Sequence, residues 1–154
     1  MIYAVNKKAH FNYQILETWE AGLVLTGAEV KSVRNGNISL KEAYVTVSVD
    51  PKTKRPQAYL LNCHIAHYNK AGSDKSYQPD RTRRLVLHRR EIVSIFGKIQ
   101  QKGLTIIPLK VYTAGTKIKV EIGLGKGKKL FDKKETLKKR DLQRETHREL
   151  KQRK

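Results

Sequence analysis

Apolar and polar residues alternate through "FNYQILETWEAGLVL" (11–25), where Phe11, Tyr13 and Ile15 share a parity that Trp19 keeps. A period of two predicts a half-buried strand. Ala21-Gly22 marks a bulge or sharp bend within it. The period then changes. In "TGAEVKSVRNG" (26–36) Val30 and Val33 fall on one helical face, Thr26 is placed to cap the start, and Asn35-Gly36 to end it. Alternation returns in "YVTVSVD", with Val45, Val47 and Val49 together, and again in "QAYLLNCHI" (57–65) after the turn "PKTKRP". These two segments predict a hairpin.

Residues 66–80 carry no apolar rhythm and are long for a connection, so they are either mobile or functional. "RRLVLH" predicts a short strand. "RREIVSIFGKIQQKG" places Ile92, Ile95, Phe96 and Ile99 at helical spacing, with Gly103 as its C-terminal stop. "LTIIPLKVY" and "KIKVEIGLG" flank "TAGT" as a second hairpin, and Pro108 asks for an edge or a bulge. The pattern predicts a mainly β domain of six or so short antiparallel strands with two or three short helices. A small oligonucleotide-binding-type (OB-fold) barrel fits best, a sandwich second.

Charge separates the chain into two parts. Its 154 residues hold 33 Lys and Arg against 14 Asp and Glu, net +19. Residues 126–154 hold 13 basic and 5 acidic residues, net +8, at more than twice the charge density of residues 1–125. The expected organisation is a body, 1–125, and a basic C-terminal tail, 126–154. Such a balance favours a polyanionic partner. No apolar run suggests a leader or a membrane helix, and a single cysteine, Cys63, excludes an internal disulfide.

The tail has little to bury. Leu137, Leu142 and Leu150 do not share one helical face, although Asp132 and Glu135 have the spacing of a helix cap. Ordering costs of about 1–2 kcal/mol per residue then go unmet. The tail is expected to be disordered when free and helical once a polyanion neutralises it. Gly123, Gly125 and Gly127 alternate just before it, as a flexible exit or as a joint that lets RNA backbone approach. No phosphate-loop motif is present.

Candidate chemistry is sparse. Cys63, His64 and His67 suggest a metal or thiol site only weakly, because Cys63 and His64 point to opposite faces of a strand and two histidines are too few ligands. Glu20, beside Trp19, either accepts from base edges or pairs with a neighbouring lysine. "RTRRLVLHRR" sets five arginines about a short apolar strand, where His88 reaches a base or a phosphate. Tyr13, Trp19, Tyr44, Tyr59 and Tyr68 serve either as core or as stacking platforms.

The blocks "NKKA" (6–9), "EAGL" (20–23), "G-x-EVKS-x-R" (27–34), "DRTRRLVLHRRE" (80–91) and "GKGKKLFDKK" (125–134), in that order, resemble the SsrA-binding protein (small protein B) family. The resemblance implies an OB-type barrel that binds the tRNA-like domain of transfer-messenger RNA. It implies delivery of that RNA, with elongation factor Tu and GTP, to stalled ribosomes for trans-translation. The protein would stand in for an anticodon stem while its tail lies in the empty mRNA channel at the decoding centre. RNA-binding positions carried over are Asn6, Lys7, Glu20, Lys31, Arg34, Val86 and His88. Val86 stands for a leucine and His88 for an asparagine of some relatives. Tail positions are Lys126, Lys128, Lys129, Phe131, Asp132, Lys133 and Lys134; Phe131 stands where relatives carry His or Tyr, and Lys134 for a common Arg. No enzymatic activity, metal or cofactor is implied. A cytoplasmic monomer is expected, and a general RNA-binding module is the alternative.

Overall fold

The structure, a computed structural model, describes residues 1–68, 76–128 and 130–152. Among these the chain forms β1 (Ile2–Val5), α1 (Ala9–Asn12), β2 (Tyr13–Leu23), α2 (Gly27–Arg34), β3 (Ile38–Ser39), β4 (Tyr44–Val49), β5 (Pro56–Leu61), β6 (His64–Ile65), β7 (Arg83–Val86), α3 (Arg89–Ile99), β8 (Leu104–Ala114), β9 (Lys117–Gly127) and α4 (Leu130–Gln152). Six strands close a ring in the order β8-β4-β5-β7-β2-β9, with β9 returning to β8 and β1 added outside β8. All pairings are antiparallel. The barrel expected from the alternation is present. The strands that the pattern missed, β1 and β3, are too short to show a period; β6 lies inside the single strand expected over 57–65.

Two bulges decide what faces out. The register of β2 slips between Ile15 and Glu17, and that of β8 between Pro108 and Lys110. A one-residue insertion swaps the faces of everything beyond it. Trp19, Ala21 and Leu23 therefore point into the barrel with Ile106, Val111, Val120, Ile122 and Leu124. Tyr13 and Ile15, of the same parity as Trp19, point outward onto a second small cluster of Ala9, Ile107 and Leu109. The bend expected at Ala21-Gly22 is instead this bulge at Leu16, and Gly22 stays in register with Val86 and Lys119. Pro108, expected at a bulge, is at one.

The glycines before the tail are strand, not joint. Gly123 and Gly125 are buried within β9, paired to β2 on one side and β8 on the other. A Cβ on Gly123 would lie 3.0 Å from Leu109 Cδ1, and one on Gly125 3.0 Å from Tyr13 Cβ. Their missing side chains let the outer cluster, and α1 with it, sit down on the sheet.

α2 begins as the sequence suggests, with Thr26 and Glu29 closing a reciprocal cap. α3 buries Ile92 and Ile95; Phe96 lies on the flank of that stripe and stays exposed. The segment 57–65 is broken at Asn62, whose φ of 58° separates β5, paired to β4 and β7, from β6, paired to β3.

Glu29 does more than cap. It is buried, and its carboxylate accepts from Arg81 Nη2 at 2.6 Å and Arg83 Nε at 2.7 Å. The fully buried Arg83 also donates to the carbonyls of Cys63, Arg81 and Pro79 at 2.6–3.0 Å. This network ties α2, the segment before β7 and the end of β5 together. Burial raises the Glu29 carboxyl's pKa, but hydrogen bonds from Arg81, the Thr26 backbone and Arg83 outweigh it and hold the group below its ordinary value.

A buried charge that loses its partner is expensive. Glu29→Gln should cost about 3–5 kcal/mol in urea unfolding, and a loss under about 1 kcal/mol would remove the pair from this role. Because the folded carboxyl is the stronger acid, its contribution is complete above the unfolded pKa of about 4.3 and fades as pH falls through the lower folded value. The wild-type unfolding midpoint should hold from neutral pH to about pH 5 and drop below that, more steeply than in Glu29→Gln.

Candidate nucleic-acid interface

Of the RNA-binding candidates singled out from the sequence, Glu20 stands on the outer face of β2, β9 and β8. The middle of that face is polar. Glu20 stands opposite Glu121, and Glu121 opposite Lys110. The hydroxyl of Tyr112 donates to Glu20, and Lys119 Nζ lies 3.6 Å from the same carboxylate. Lys110 Nζ pairs with Glu121 at 3.3 Å and sits 5.5 Å from the centre of the Tyr112 ring. Glu20 thus has the lysine partner of one reading and remains exposed. Burial, then the bond to Glu20, pushes the Tyr112 hydroxyl well above its ordinary pKa, so it donates at any physiological pH.

One end of this face continues from Glu20 through Gly22 to Val86, which is 54 % exposed. Gly22 admits Val86 closely, since a Cβ there would lie 3.3 Å from Val86 Cβ. Lys117 and Thr116 flank the pair, and Arg34 Nη2 donates to the Thr116 carbonyl at 3.3 Å, fastening α2 to the turn between β8 and β9. Lys31 turns to the loop instead, 5.7 Å from the centre of the Tyr68 ring. His88 opens α3, exposed, with its backbone N–H on Glu91 Oε1 at 3.3 Å.

Asn6 and Lys7 do not join this group. Asn6 follows β1, where its backbone N–H meets the Leu109 carbonyl at 2.7 Å and its Nδ2 the Pro108 carbonyl at 2.9 Å. It satisfies the carbonyls loosened by the β8 bulge and turns the chain into α1. Lys7 is exposed beside it.

That opposite end is also the root of the tail. Lys126 is exposed at the end of β9. Lys128 clamps the C-terminus of α1: its backbone N–H donates to the Asn12 carbonyl at 3.0 Å and its Nζ to the His10 carbonyl at 2.8 Å. A cation is favoured there, where helix carbonyls lack partners. α4 then crosses α1, with the Arg140 guanidinium 6.0 Å from the centre of the Phe11 ring. Among the described side chains of α4, Leu137 and Leu142 stay exposed and do not dock. The helix starts at Leu130, ahead of the Asp132 start suggested by the cap spacing. Lys134 is exposed. Lys129 lies outside the described residues, as do the side chains of Phe131, Asp132 and Lys133. From Glu121 to Gly127 the strand advances about 20 Å, so the Glu20 end and the tail root are separate places.

The weaker candidates resolve into structure. Cys63 is buried, and burial pushes its thiol pKa up to about 11, far from a nucleophile's. His64 pairs with Asp80 at 3.0 Å, while His67 packs edge-on against Tyr77. Trp19 is core, with Lys98 over its ring at 5.2 Å. No helix among the described residues is long and apolar enough to cross a membrane.

Sequence reasoning missed Lys119 and Tyr112, which are adjacent to Glu20 only through the register of β9. It also missed Glu29 and Arg83. Signals existed for both: Glu29 has the cap spacing from Thr26, and Arg83 shares the inward parity of Leu85.

Known proteins resemble the chain along nearly its whole length. The family described as SmpB protein matches residues 3–152. An SsrA-binding protein of Halalkalibacterium halodurans is 48 % identical over 151 residues, covering 98 % of this chain and 94 % of its own. That of Trichodesmium erythraeum is 46 % identical, covering 98 % and 93 %, and that of Mesoplasma florum 46 %, covering 97 % of each. A solved chain described as "tmRNA-SmpB: a journey to the center of the bacterial ribosome" superposes with a TM-score of 0.65 at 42 % identity, covering 82 % of this chain and 84 % of that one. With barrel, motif blocks and tail all inside the matched span, the chain belongs to the SmpB family of SsrA-binding proteins.

Proposed function

We propose that this protein binds the tRNA-like domain of transfer-messenger RNA and helps deliver it to stalled ribosomes for trans-translation. The observation that carries the reading is that the likeness to SsrA-binding proteins runs through body and tail alike, from residue 3 to residue 152. The geometry supports a division of labour. Glu20 and Val86 at this end of the outer face, Arg34 at the turn between β8 and β9, and the exposed Lys31 on α2 and His88 at the start of α3 offer a carboxylate, an apolar contact and several cations to folded RNA. The carboxylate penalises phosphate and favours a base-edge donor, so it selects a pose within a basic surface.

The tail works elsewhere. α4 is about 34 Å long at 1.5 Å per residue and meets the body at α1. Apart from the exposed Leu137 and Leu142, its described side chains are mostly charged, suited to a channel walled by RNA phosphate. β9 runs through Lys126 and Gly127 and Lys128 is bonded to α1, so the tail proper begins after Lys128. It takes its working position in the mRNA channel, where Lys126, Lys128, Lys129, Phe131, Asp132, Lys133 and Lys134 reach the decoding centre. Asn6 and Lys7 support RNA near the tail root. Elongation factor Tu with GTP rides on the same RNA, and the protein acts as a cytoplasmic monomer. It is an adaptor and catalyses no reaction; peptide transfer belongs to the ribosome.

Deleting residues 130–154 should leave affinity for transfer-messenger RNA within about threefold while abolishing tagging on stalled ribosomes, because the phosphate contacts of the body remain. Loss of RNA binding would refute the division. Glu20→Ala should change stability by less than about 1 kcal/mol, as for other exposed pairs, yet weaken transfer-messenger RNA binding about tenfold or more. Filter binding with bulk tRNA as competitor checks both. If tRNA competes as well as transfer-messenger RNA, the protein is a general RNA-binding module.

A further inference from the structure

We infer that a groove beside the tail root is a site for one unpaired ribonucleotide, distinct from the Glu20 end of the outer face; this rests on the reading of the chain as an RNA-binding protein. The groove has a volume of about 750 Å³, in the range of small-molecule sites. Thr105 and Ile107 of β8 form its floor. One wall is the turn from β1 into α1, ending at Asn12 and Tyr13. The other is the connection from β3 to β4, ending at Tyr44.

Both walls are fixed by hydrogen bonds, one set long-range and one local. Asn6 pins the first through its two bonds to the β8 bulge. On the second, Glu42 has a φ of 66°, Ala43 N–H bonds the Leu40 carbonyl at 3.1 Å, and Lys41 N–H bonds Ser39 Oγ at 3.3 Å. The cleft is therefore built into the fold.

Its chemistry points to a nucleotide. Lys7, Lys8 and Lys41 stand on the rim, with Glu42 the one acidic lining residue, so the field favours phosphate. Ile107 and Leu40 are buried and apolar, while Tyr44 is 41 % exposed and offers a ring to a base. Asn6 spends its Nδ2 on Pro108 and keeps Oδ1 as an acceptor. The Asn12 amide and the Thr105 hydroxyl add further hydrogen-bonding groups. An apolar floor, one exposed ring, a few polar groups and a cationic rim are what a splayed-out base with its phosphate requires. A base inside a helix is stacked and paired and cannot enter a cleft of this volume.

The test is a titration of full-length, isotopically labelled protein, following backbone amides. The probes are single-stranded hexauridylate, single-stranded hexaadenylate and a short blunt RNA duplex. The single strands should shift Asn12, Lys41 and Thr105, and the duplex should leave them in place. Lys8→Glu with Lys41→Glu should weaken single-strand binding about tenfold or more. Tyr44→Ala, at an exposed position, should weaken it about tenfold through lost stacking even if the charge reversals disturb folding. Shifts confined to the Glu20 end, equal shifts with the duplex, or unchanged binding by Tyr44→Ala would overturn the inference. A filled groove in a protein that does not prefer transfer-messenger RNA over tRNA would sink the proposed function and leave the groove standing; the reverse would remove the groove alone.

Discussion

The layout of this molecule depends on a close approach that only glycine allows. β9 is paired on both edges along most of its length, and at its C-terminal half Gly123 and Gly125 put no side chain on the outer face. Tyr13, Ile15 and Leu109 fill the space that Cβ atoms would take. They do so because bulges at Leu16 and Leu109 turn these apolar residues outward while the rest of their strands keeps facing the core. α1 rests on this small cluster through Ala9. The C-terminus of α1 then receives Lys128, and its Phe11 meets Arg140. One packing constraint thus sets a wall of the groove and the direction in which the tail leaves.

A chain of net +19 also needs its few carboxylates in the right places. Glu29 neutralises the buried Arg83, Glu17 pairs with Lys98, Glu121 with Lys110, and Glu20 with Lys119. Inside the barrel the pairing holds secondary structures together. On the outer face it leaves a polar ladder whose members stay within reach of a partner. Among the described residues the tail meets the body at its root, through Lys128 and Arg140, and its charge is suited to an external polyanion.

Much of this was legible in the sequence. Period-two alternation located the long strands, the Thr26 cap located α2, and Pro108 located a bulge. The motif blocks carried the family. What stayed hidden was tertiary. Parity alone placed Tyr13, Ile15 and Trp19 on one side, because a bulge leaves no mark when the inserted residue, Leu16, is itself apolar. Alternating glycines suggested a flexible joint, since the sequence does not show that both neighbours of β9 press on it. The separation of Asn6 and Lys7 from Glu20, and the company Lys119 and Tyr112 keep with Glu20, follow from register, which local pattern does not contain.

The claim that outer-face packing at β9 seats α1 is tested most directly by amide hydrogen exchange on Gly125→Val beside the wild type. The added side chain should displace Tyr13 and speed exchange in residues 6–13 and at Lys128, while amides of Val111, Val120 and Ile122 in the barrel keep their protection. Unchanged exchange in 6–13, or a loss spread evenly over the barrel, would contradict it.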